Sequence, residues 1–276
     1  MNDYHHKPLH FCVLLPCYND ETGLVQALKS IQYPFDACLA VVVDDGSTKP
    51  LDKAQLEAMV GTGLQVHVLR LPHNQGITAA LNAGLDWIVT HTSAPYIARL
   101  DCRDLCDGER FFAQIEFLNV HSQVGLLGTW CRFQEEGNGL AYTYETPVHH
   151  TGIEKAMPLR NVFIHPTVMF RTALIKGGER YPYQYPHAED YAFFWRLLQV
   201  TEGAILPRLL VTCAINRSGI SYSYRKEQLL SRQKVIETFA GKGWNSKLGQ
   251  IKIYLLLLVP KTVLLRLKGL KDRLYK

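Results

Sequence analysis

Four short apolar runs constrain this chain more than any other feature, because each ends in polar residues and each is followed by a stretch of different periodicity. Phe11 to Pro16 is the first run, and the loop Cys17-Tyr18-Asn19-Asp20 follows it. Glu21 to Ile31 then sets Leu24, Ala27, Leu28 and Ile31 on one helical face. Leu39 to Val43 is the second run, ending in the polar turn Asp44-Asp45-Gly46-Ser47. Leu51 to Val60 reads as a helix, Gln65 to Leu69 as a third strand, and His73-Asn74-Gln75-Gly76 as the next turn. Thr78 to Thr90 is a further helix, and Tyr96 to Leu100 a fourth strand closed by Asp101. Near-continuous apolar strands alternating with helices predict a parallel, doubly wound sheet. In such sheets ligands bind outside the carboxyl ends of the strands. Tyr18, Asn19, Asp44, Asp45, Asn74, Gly76, Asp101 and Asp104 all fall at those ends. Asn, Asp and Gly are also ordinary loop residues, so the weight lies in four polar strand ends that share one edge.

After Phe111 the pattern changes. Phe111 to Val120 is helical, while Gly125 to Phe133 and Leu140 to Tyr144 read as strands. The turn His165-Pro166-Thr167 precedes Val168-Met169-Phe170-Arg171, and Tyr181 to His187 is an aromatic, proline-rich loop. Ala188-Glu189-Asp190 starts a helix over Tyr191 to Val200, with Phe193 and Trp195 expected in the core. No internal repeat or low-complexity linker interrupts the chain.

The 276 residues are 47% hydrophobic and 20% charged, enough for a large core without disulfides. The seven cysteines are an odd number in mostly apolar contexts, which reads as free thiols in a reducing compartment. Cys102 and Cys106 lack a second ligand pair, so zinc is not expected. Met1 to His10 is polar, without the apolar core of a signal peptide, and no run of 18 apolar residues exists. The net charge of +5 is concentrated in one place. Ile251 to Lys276 holds seven Lys/Arg and one Asp, a local +6 that leaves the remaining 250 residues at −1. The body therefore gives no electrostatic case for nucleic acid. Ile251 to Val259 is almost wholly apolar and is stopped by Pro260; Val263, Leu264, Leu267, Leu270 and Leu274 then recur at helical spacing among lysines. That is a basic amphipathic segment too short to span a bilayer but suited to an anionic interface. A helix pair docked on the body or on another subunit is the structural alternative.

Taken in order, these segments resemble the family 2 glycosyltransferases, inverting enzymes of the GT-A fold. Leu15-Pro16-Cys17-Tyr18-Asn19-Asp20, Val42-Val43-Asp44-Asp45-Gly46-Ser47, His73-Asn74-Gln75-Gly76 with Asn82, Ala98-Arg99-Leu100-Asp101-Cys102-Arg103-Asp104, His165-Pro166-Thr167 and Glu189-Asp190-Tyr191 carry the resemblance. It spans residues 11 to about 200, and six motifs in the right order are far more specific than any one. It implies an α/β fold, with a Rossmann-like, mainly parallel central sheet flanked by helices and a C-terminal helical extension. A catalytic domain is expected over residues 1–220, its donor half about 11–105 and its acceptor half about 106–220. Residues 221–276 would form a helical region with a membrane-associating tail.

The resemblance also implies roles. Pro16, Tyr18, Asn19, Asp20, Asp45, Asn74, Gly76, Asn82, Arg99, Asp101 and Arg103 would line the donor site of a UDP- or dTDP-sugar. Tyr18 would stack on the base, Asp45 accept a hydrogen bond from it, and Asp101 lie at the ribose and diphosphate. Asp190 would be the general base, Glu189 the next candidate, and His165 an acceptor-side or diphosphate contact. The reaction would be inverting hexosyl or N-acetylhexosaminyl transfer to a glycan or lipid-linked glycan, in surface polysaccharide synthesis on the cytoplasmic, inner face of a membrane. Inversion needs a base on the incoming hydroxyl and positive charge for the departing diphosphate. Blander readings stand beside these: Asp44 and Asp45 as caps, Glu189 and Asp190 as helix-start charges, His165 as a turn residue.

Arg103 departs from the family pattern, which has a second aspartate two residues after Asp101 to ligate Mg²⁺ or Mn²⁺. Arginine is always cationic and only donates. Three accounts are open: Asp104 joins Asp101 on a weakened metal site, Arg103 replaces the metal, or activity is lost and a donor-binding or scaffolding protein remains. A sugar-nucleotidyltransferase is the other enzyme class, but Pro16 to Gly23 has no Lys or Arg to hold a triphosphate.

Overall fold

The computed structural model describes residues 4, 6, 8–61, 64–135, 139–216, 223–260, 262–265 and 267. The first half alternates β1 (Phe11–Cys17), α1 (Glu21–Ser30), β2 (Cys38–Asp44), α2 (Lys53–Val60), β3 (Gln65–Arg70), α3 (Ile77–His91) and β4 (Tyr96–Arg99). Strand β1 lies between β2 and β4, and β3 pairs with β2, all parallel. Side chains of a strand alternate between faces, and β1 buries both. Phe11, Val13 and Leu15 pack with Leu24, Leu28 and Phe111 on one side. Cys12 and Leu14 pack with Leu81, Leu85 and Phe193 on the other. Pro16 sits in this central strand at no cost to the ladder, because pairing with β4 ends at Leu14↔Arg99. Asp20 caps α1, its Oδ1 accepting from the Gly23 N–H at 3.1 Å.

The second half comprises β5 (Leu105–Cys106), α4 (Arg110–Val120), β6 (Val124–Gln134), β7 (Ala141–Tyr144), α5 (His150–Ala156), a 3-10 turn over His165–Thr167, β8 (Met169–Arg171), α6 (Thr172–Lys176), α7 (Glu189–Leu198) and β9 (Glu202–Ala214). The described strands form one sheet in the order β3-β2-β1-β4-β8-β6-β9-β5, with β7 on β6. Beyond β4 the sheet is mixed: β8 is antiparallel to both β4 and β6, and β6 runs parallel to β9. The parallel pattern read from the sequence therefore holds for four strands and stops there. Strand β9 shows no such apolar run, since Pro207 interrupts it. The register with β6 slips there, from Thr129↔Leu206 to Trp130↔Leu209, and the bulge absorbs the proline. Two helices follow, α8 (Arg225–Phe239) and α9 (Trp244–Leu258). They pack together, and Leu229, Val235, Ile236 and Ile253 join the core that contains α7. Of the basic amphipathic segment, Val263, Leu264 and Leu267 are described, whereas Lys268 to Lys276 lie outside the described residues.

Candidate active site

At the sheet edge the polar loops hold one another. Asn19 has φ 52°, in the left-handed region where Asn is tolerated, and its Oδ1 accepts from Thr48 N–H at 2.8 Å. Asn19 N–H in turn donates to Ser47 Oγ at 2.9 Å. Asp44 is buried, accepts from Ser47 N–H at 2.8 Å and pairs with Arg70. Burial alone would raise its pKa, but these hydrogen bonds and Arg70 hold it below the usual carboxylate range. Asp45 accepts from the N–H groups of Gln75 and Gly76 at 2.8 and 2.9 Å. Both aspartates thus clamp turns, and Asp45 ties the second strand end to the Asn74–Gly76 turn. Gly46 must be glycine here: φ is +67°, and a Cβ would stand 2.3 Å from the His73 carbonyl carbon. Tyr18 is different, because its ring is half exposed on the rim. Asn82 faces inward instead, where its amide donates to Tyr181 C=O and accepts from Tyr181 N–H, both at 2.9 Å. It joins α3 to the aromatic loop rather than lining the edge.

The loop after β4 is organised by two buried arginines. Arg99 is fully buried; it donates to Leu100 C=O at 2.8 Å, to His165 Nε2 at 3.1 Å, and to Asp101 Oδ1. Arg110 donates to Arg99 C=O at 2.8 Å and to Gln114, whose amide reaches Thr167 C=O at 3.0 Å. Strand β4 and the His165 turn are therefore one rigid unit. Burial acts to raise the pKa of Asp101, but the charge and hydrogen bond of Arg99 outweigh it, and the carboxyl stays below its ordinary value. His165 Nε2 accepts from Arg99 and lies 2.9 Å from Tyr181 Oη, so its proton must sit on Nδ1. Burial, reinforced by Arg99, pushes the His165 pKa down to about 3 and keeps the ring neutral.

Arg103 does not extend into open solvent. It has φ 71° and forks onto Asp20, with Nε to Oδ2 and Nη2 to Oδ1 both 2.7 Å. Gly23 makes room for it, since a Cβ there would meet Arg103 Cγ at 2.5 Å. Asp104 is not brought beside Asp101 as a second ligand. It is buried, and its Oδ1 accepts from Ala214 N–H at 2.8 Å, fastening the loop to β9. Burial and the neighbouring Asp101 push its pKa well up.

Across His165 and Tyr181 lies the start of α7. Asp190 Oδ2 accepts from Asn161 Nδ2 at 3.0 Å, and Oδ1 accepts from Tyr191 N–H at 2.7 Å. Burial pushes the Asp190 pKa up to about 6, against the pull of the Tyr191 N–H and of Arg232 on α8. Glu189 is buried with an unpartnered Oε2, and burial plus the charge of Asp190 raise its pKa to about 8. Buried Tyr181 lies in the electrostatic field of Asp101, Asp190 and Glu189 alike, between the two halves of the site. Sequence patterns do not mark Asn161 or Arg232, whose partners are distant along the chain, nor Arg110, whose partners Arg99 and Gln114 are near in sequence but form no motif.

A parallel edge of interlocked loops, an arginine-held aspartate beyond β4 and a raised carboxyl opposite it match a known pattern. Residues 12–184 match the model of "Glycosyl transferase family 2". The chain belongs to glycosyl transferase family 2. Among its relatives is the amylovoran biosynthesis glycosyltransferase AmsE of Erwinia amylovora, 28% identical over 91% of this chain and 86% of that protein. The UDP-Gal:alpha-D-GlcNAc-diphosphoundecaprenol beta-1,3-galactosyltransferase of Escherichia coli is 26% identical over 77% of this chain and 79% of its own length. In fold, the family 2 chain matches S. aureus TarS 1–349 in complex with UDP-GlcNAc at TM-score 0.65, with 18% identity, over 87% of this chain and 69% of that one. Mannosyltransferase PcManGT from Pyrobaculum calidifontis, in complex with GDP-Man and Mn²⁺, matches at TM-score 0.63 with 17% identity, over 92% and 70%. These neighbours are GT-A glycosyltransferases, and the mixed sheet of this family 2 member is the same fold.

Proposed function

We propose that the protein transfers a sugar from a uridine or thymidine diphosphate donor to a hydroxyl of a glycan or lipid-linked glycan, with inversion, in surface polysaccharide synthesis. One observation carries the reading. Asp101, kept anionic by Arg99, lies within electrostatic reach of Asp190, and Asp190 has a pKa raised to about 6, chiefly by burial. A base with a pKa near the working pH suits proton abstraction from a sugar hydroxyl. Asp190 takes that proton, and the freed oxygen bonds to the anomeric carbon. The bond from that carbon to the phosphate oxygen breaks on the opposite face, and the nucleoside diphosphate leaves with the electron pair. Tyr18 is available to stack on the base, and the UDP-GlcNAc bound by TarS supports a uridine donor. Relatives named for amylovoran and O-antigen biosynthesis support the polysaccharide setting. Residues 1–220 serve as the catalytic domain in this reading, and 221–276 as a helical attachment.

The loop does not fit a conventional two-carboxylate site for Mg²⁺ or Mn²⁺. Hard cations need several anionic oxygens. Here Asp101 is bonded to Arg99, Asp104 is turned inward, and Asp20 is neutralised by Arg103. Among the described residues no three His, Cys, Asp or Glu converge. Arg103 stands at the position where the family pattern has a ligand, its charge paired with Asp20 in this structure. No helix among the described residues is long and apolar enough to cross a membrane. Helix α9 nevertheless exposes Trp244, Leu248, Ile251, Leu255 and Leu258 along one stripe. With the basic residues that follow it, this stripe suits the surface of an anionic bilayer on the cytoplasmic side.

The test is turnover of UDP- and dTDP-sugars with and without chelator, in wild type and Arg103→Ala. Partial loss in chelator and a larger loss in Arg103→Ala are expected. Complete loss in chelator with Arg103→Ala still active would restore a metal site. Saturable nucleotide binding with no turnover of any donor would leave a donor-binding protein.

A further inference from the structure

Three cations converge behind Asp190, none of them in an ion pair with a carboxylate among the described residues, although the charge of Arg232 reaches Asp190. The loop from Met157 to Asn161 is their meeting point. Arg160 lies over the Tyr144 ring, 5.1 Å from its centroid, and Tyr144 Oη donates to Asn161 C=O at 3.0 Å. Asn161 is the residue that bonds Asp190. Arg232, on α8, stands 5.8 Å from the Tyr191 ring, with a buried Nε that has no hydrogen-bond partner. Lys252, on α9, donates to Leu159 C=O at 3.2 Å. Helix α9 reaches this loop only because Gly249 has no side chain, since a Cβ there would stand 2.0 Å from Pro158 O. Among the described residues none of the three cations has an acidic group within ion-pair distance, although other arginines of the chain do. They also feel one another: burial and the charges of Arg232 and Arg160 push the Lys252 pKa down. Like charges gathered in a half-buried place raise the free energy of the empty site, and an anion relieves it.

The location says which anion. In the transferase reading the donor diphosphate lies at the Asp101 edge, whereas this cluster adjoins Asp190, the proposed base. Guanidinium forks match phosphate oxygens in pairs, and a lysine adds a point charge. Lys252 also borders the exposed apolar stripe of α9 that runs through Ile251 and Leu255. A ligand with a phosphate in the cluster could lay a hydrocarbon tail along that stripe.

We propose that Arg160, Arg232 and Lys252 form an acceptor subsite for the phosphate or diphosphate that joins the acceptor sugar to a lipid carrier. The proposal rests on the transferase reading given above. Its test compares an alkyl-diphosphate-linked sugar with the plain alkyl glycoside of the same sugar. The quantity read is the ratio of their kcat/KM values. Wild type should favour the diphosphate acceptor, and the double variant Arg160→Gln/Lys252→Gln should lower that ratio about tenfold or more. Arg160→Lys should retain part of it. A ratio unchanged by the double variant, with transfer still running, overturns the subsite and leaves the transferase reading intact, because a merely structural defect slows both acceptors alike. A separate arm needs no turnover: inorganic pyrophosphate should raise the melting temperature of wild type more than that of the double variant. If that difference appears and no donor is turned over, the transferase reading falls and the anion site stands; equal shifts count against the site. Phosphatidylglycerol vesicles form the third arm. Loss of vesicle binding in the double variant, with the acceptor ratio unchanged, would assign the cluster to bilayer headgroups and overturn the acceptor assignment.

Discussion

The carboxylates at the sheet edge and those at the start of α7 sit in opposite surroundings. Asp44 and Asp101 are each bonded to an arginine, and both are held below the ordinary carboxylate range. Buried Glu189 and half-buried Asp190 lie beside one another without a salt bridge among the described residues, and their pKa values rise to about 8 and about 6. Environments that push carboxyl pKa values apart separate roles. The edge keeps permanent charge in place to shape loops and, in the proposed reading, to orient a donor. The α7 side keeps a proton in play. The two sides still feel each other, since the charge of Asp101 helps to raise the pKa of both Glu189 and Asp190.

The largest expected effect breaks the difference at Asp190. Asp190→Asn removes the proposed proton acceptor but keeps an acceptor oxygen for the Tyr191 N–H. Turnover should fall by ~10²–10⁴, with donor affinity retained. In wild type the base must be ionised, so kcat should rise with pH through about 6 and level off above it. Single-turnover kinetics across pH 4.5 to 8 check both statements. Near-normal turnover in Asp190→Asn would move the base to Glu189.

A smaller effect sharpens the donor side. Tyr18 has a half-exposed ring, so Tyr18→Ala should leave the fold intact. If the base stacks there, nucleotide binding should weaken by ~1–3 kcal/mol, by analogy with aromatic stacking in nucleic-acid complexes. Calorimetric titration with uridine and thymidine diphosphates measures this. Unchanged affinity in folded Tyr18→Ala would separate the edge from base recognition.

The two regions also differ in how far the sequence reveals them. The donor edge is legible because its contacts are turn chemistry: Asp44 to Ser47 within one turn, and Asp45 to the Asn74–Gly76 turn at the next strand end. Its surprises come from long-range partners. Arg103 finds Asp20, 83 residues away, and Asp104 finds Ala214, 110 away. Neither follows from local spacing, so Asp104 read as a candidate ligand when it is a buried fastener of β9. Around the start of α7 nearly every contact is of this kind. Asn161 carries no motif, yet it orients Asp190 from 29 residues upstream, and Tyr181 meets His165 only through tertiary packing. The helix start at Glu189 is legible; the burial that raises two carboxyl pKa values there is not, because it depends on α8 and the 157–161 loop arriving from elsewhere.

The smallest expected effect concerns Glu189, where the comparison becomes a statement about stability. Its pKa rises from 4.5 to about 8 in the fold, first through burial and then through the charge of Asp190. The folded state therefore holds this proton more tightly than the unfolded chain. The stabilisation from that proton is complete below the unfolded value near 4.5 and is lost as pH rises through about 8. Glu189→Gln preserves the shape of the neutral acid and cannot ionise. It should melt close to wild type at pH 5 and a few degrees higher at pH 9, consistent with ~1–2 kcal/mol in a domain of this size. Calorimetry at the two pH values decides it. Superimposable pH dependences in the two proteins would mean that Glu189 is ionised without strain, and that the two sides of the site differ at Asp190 alone.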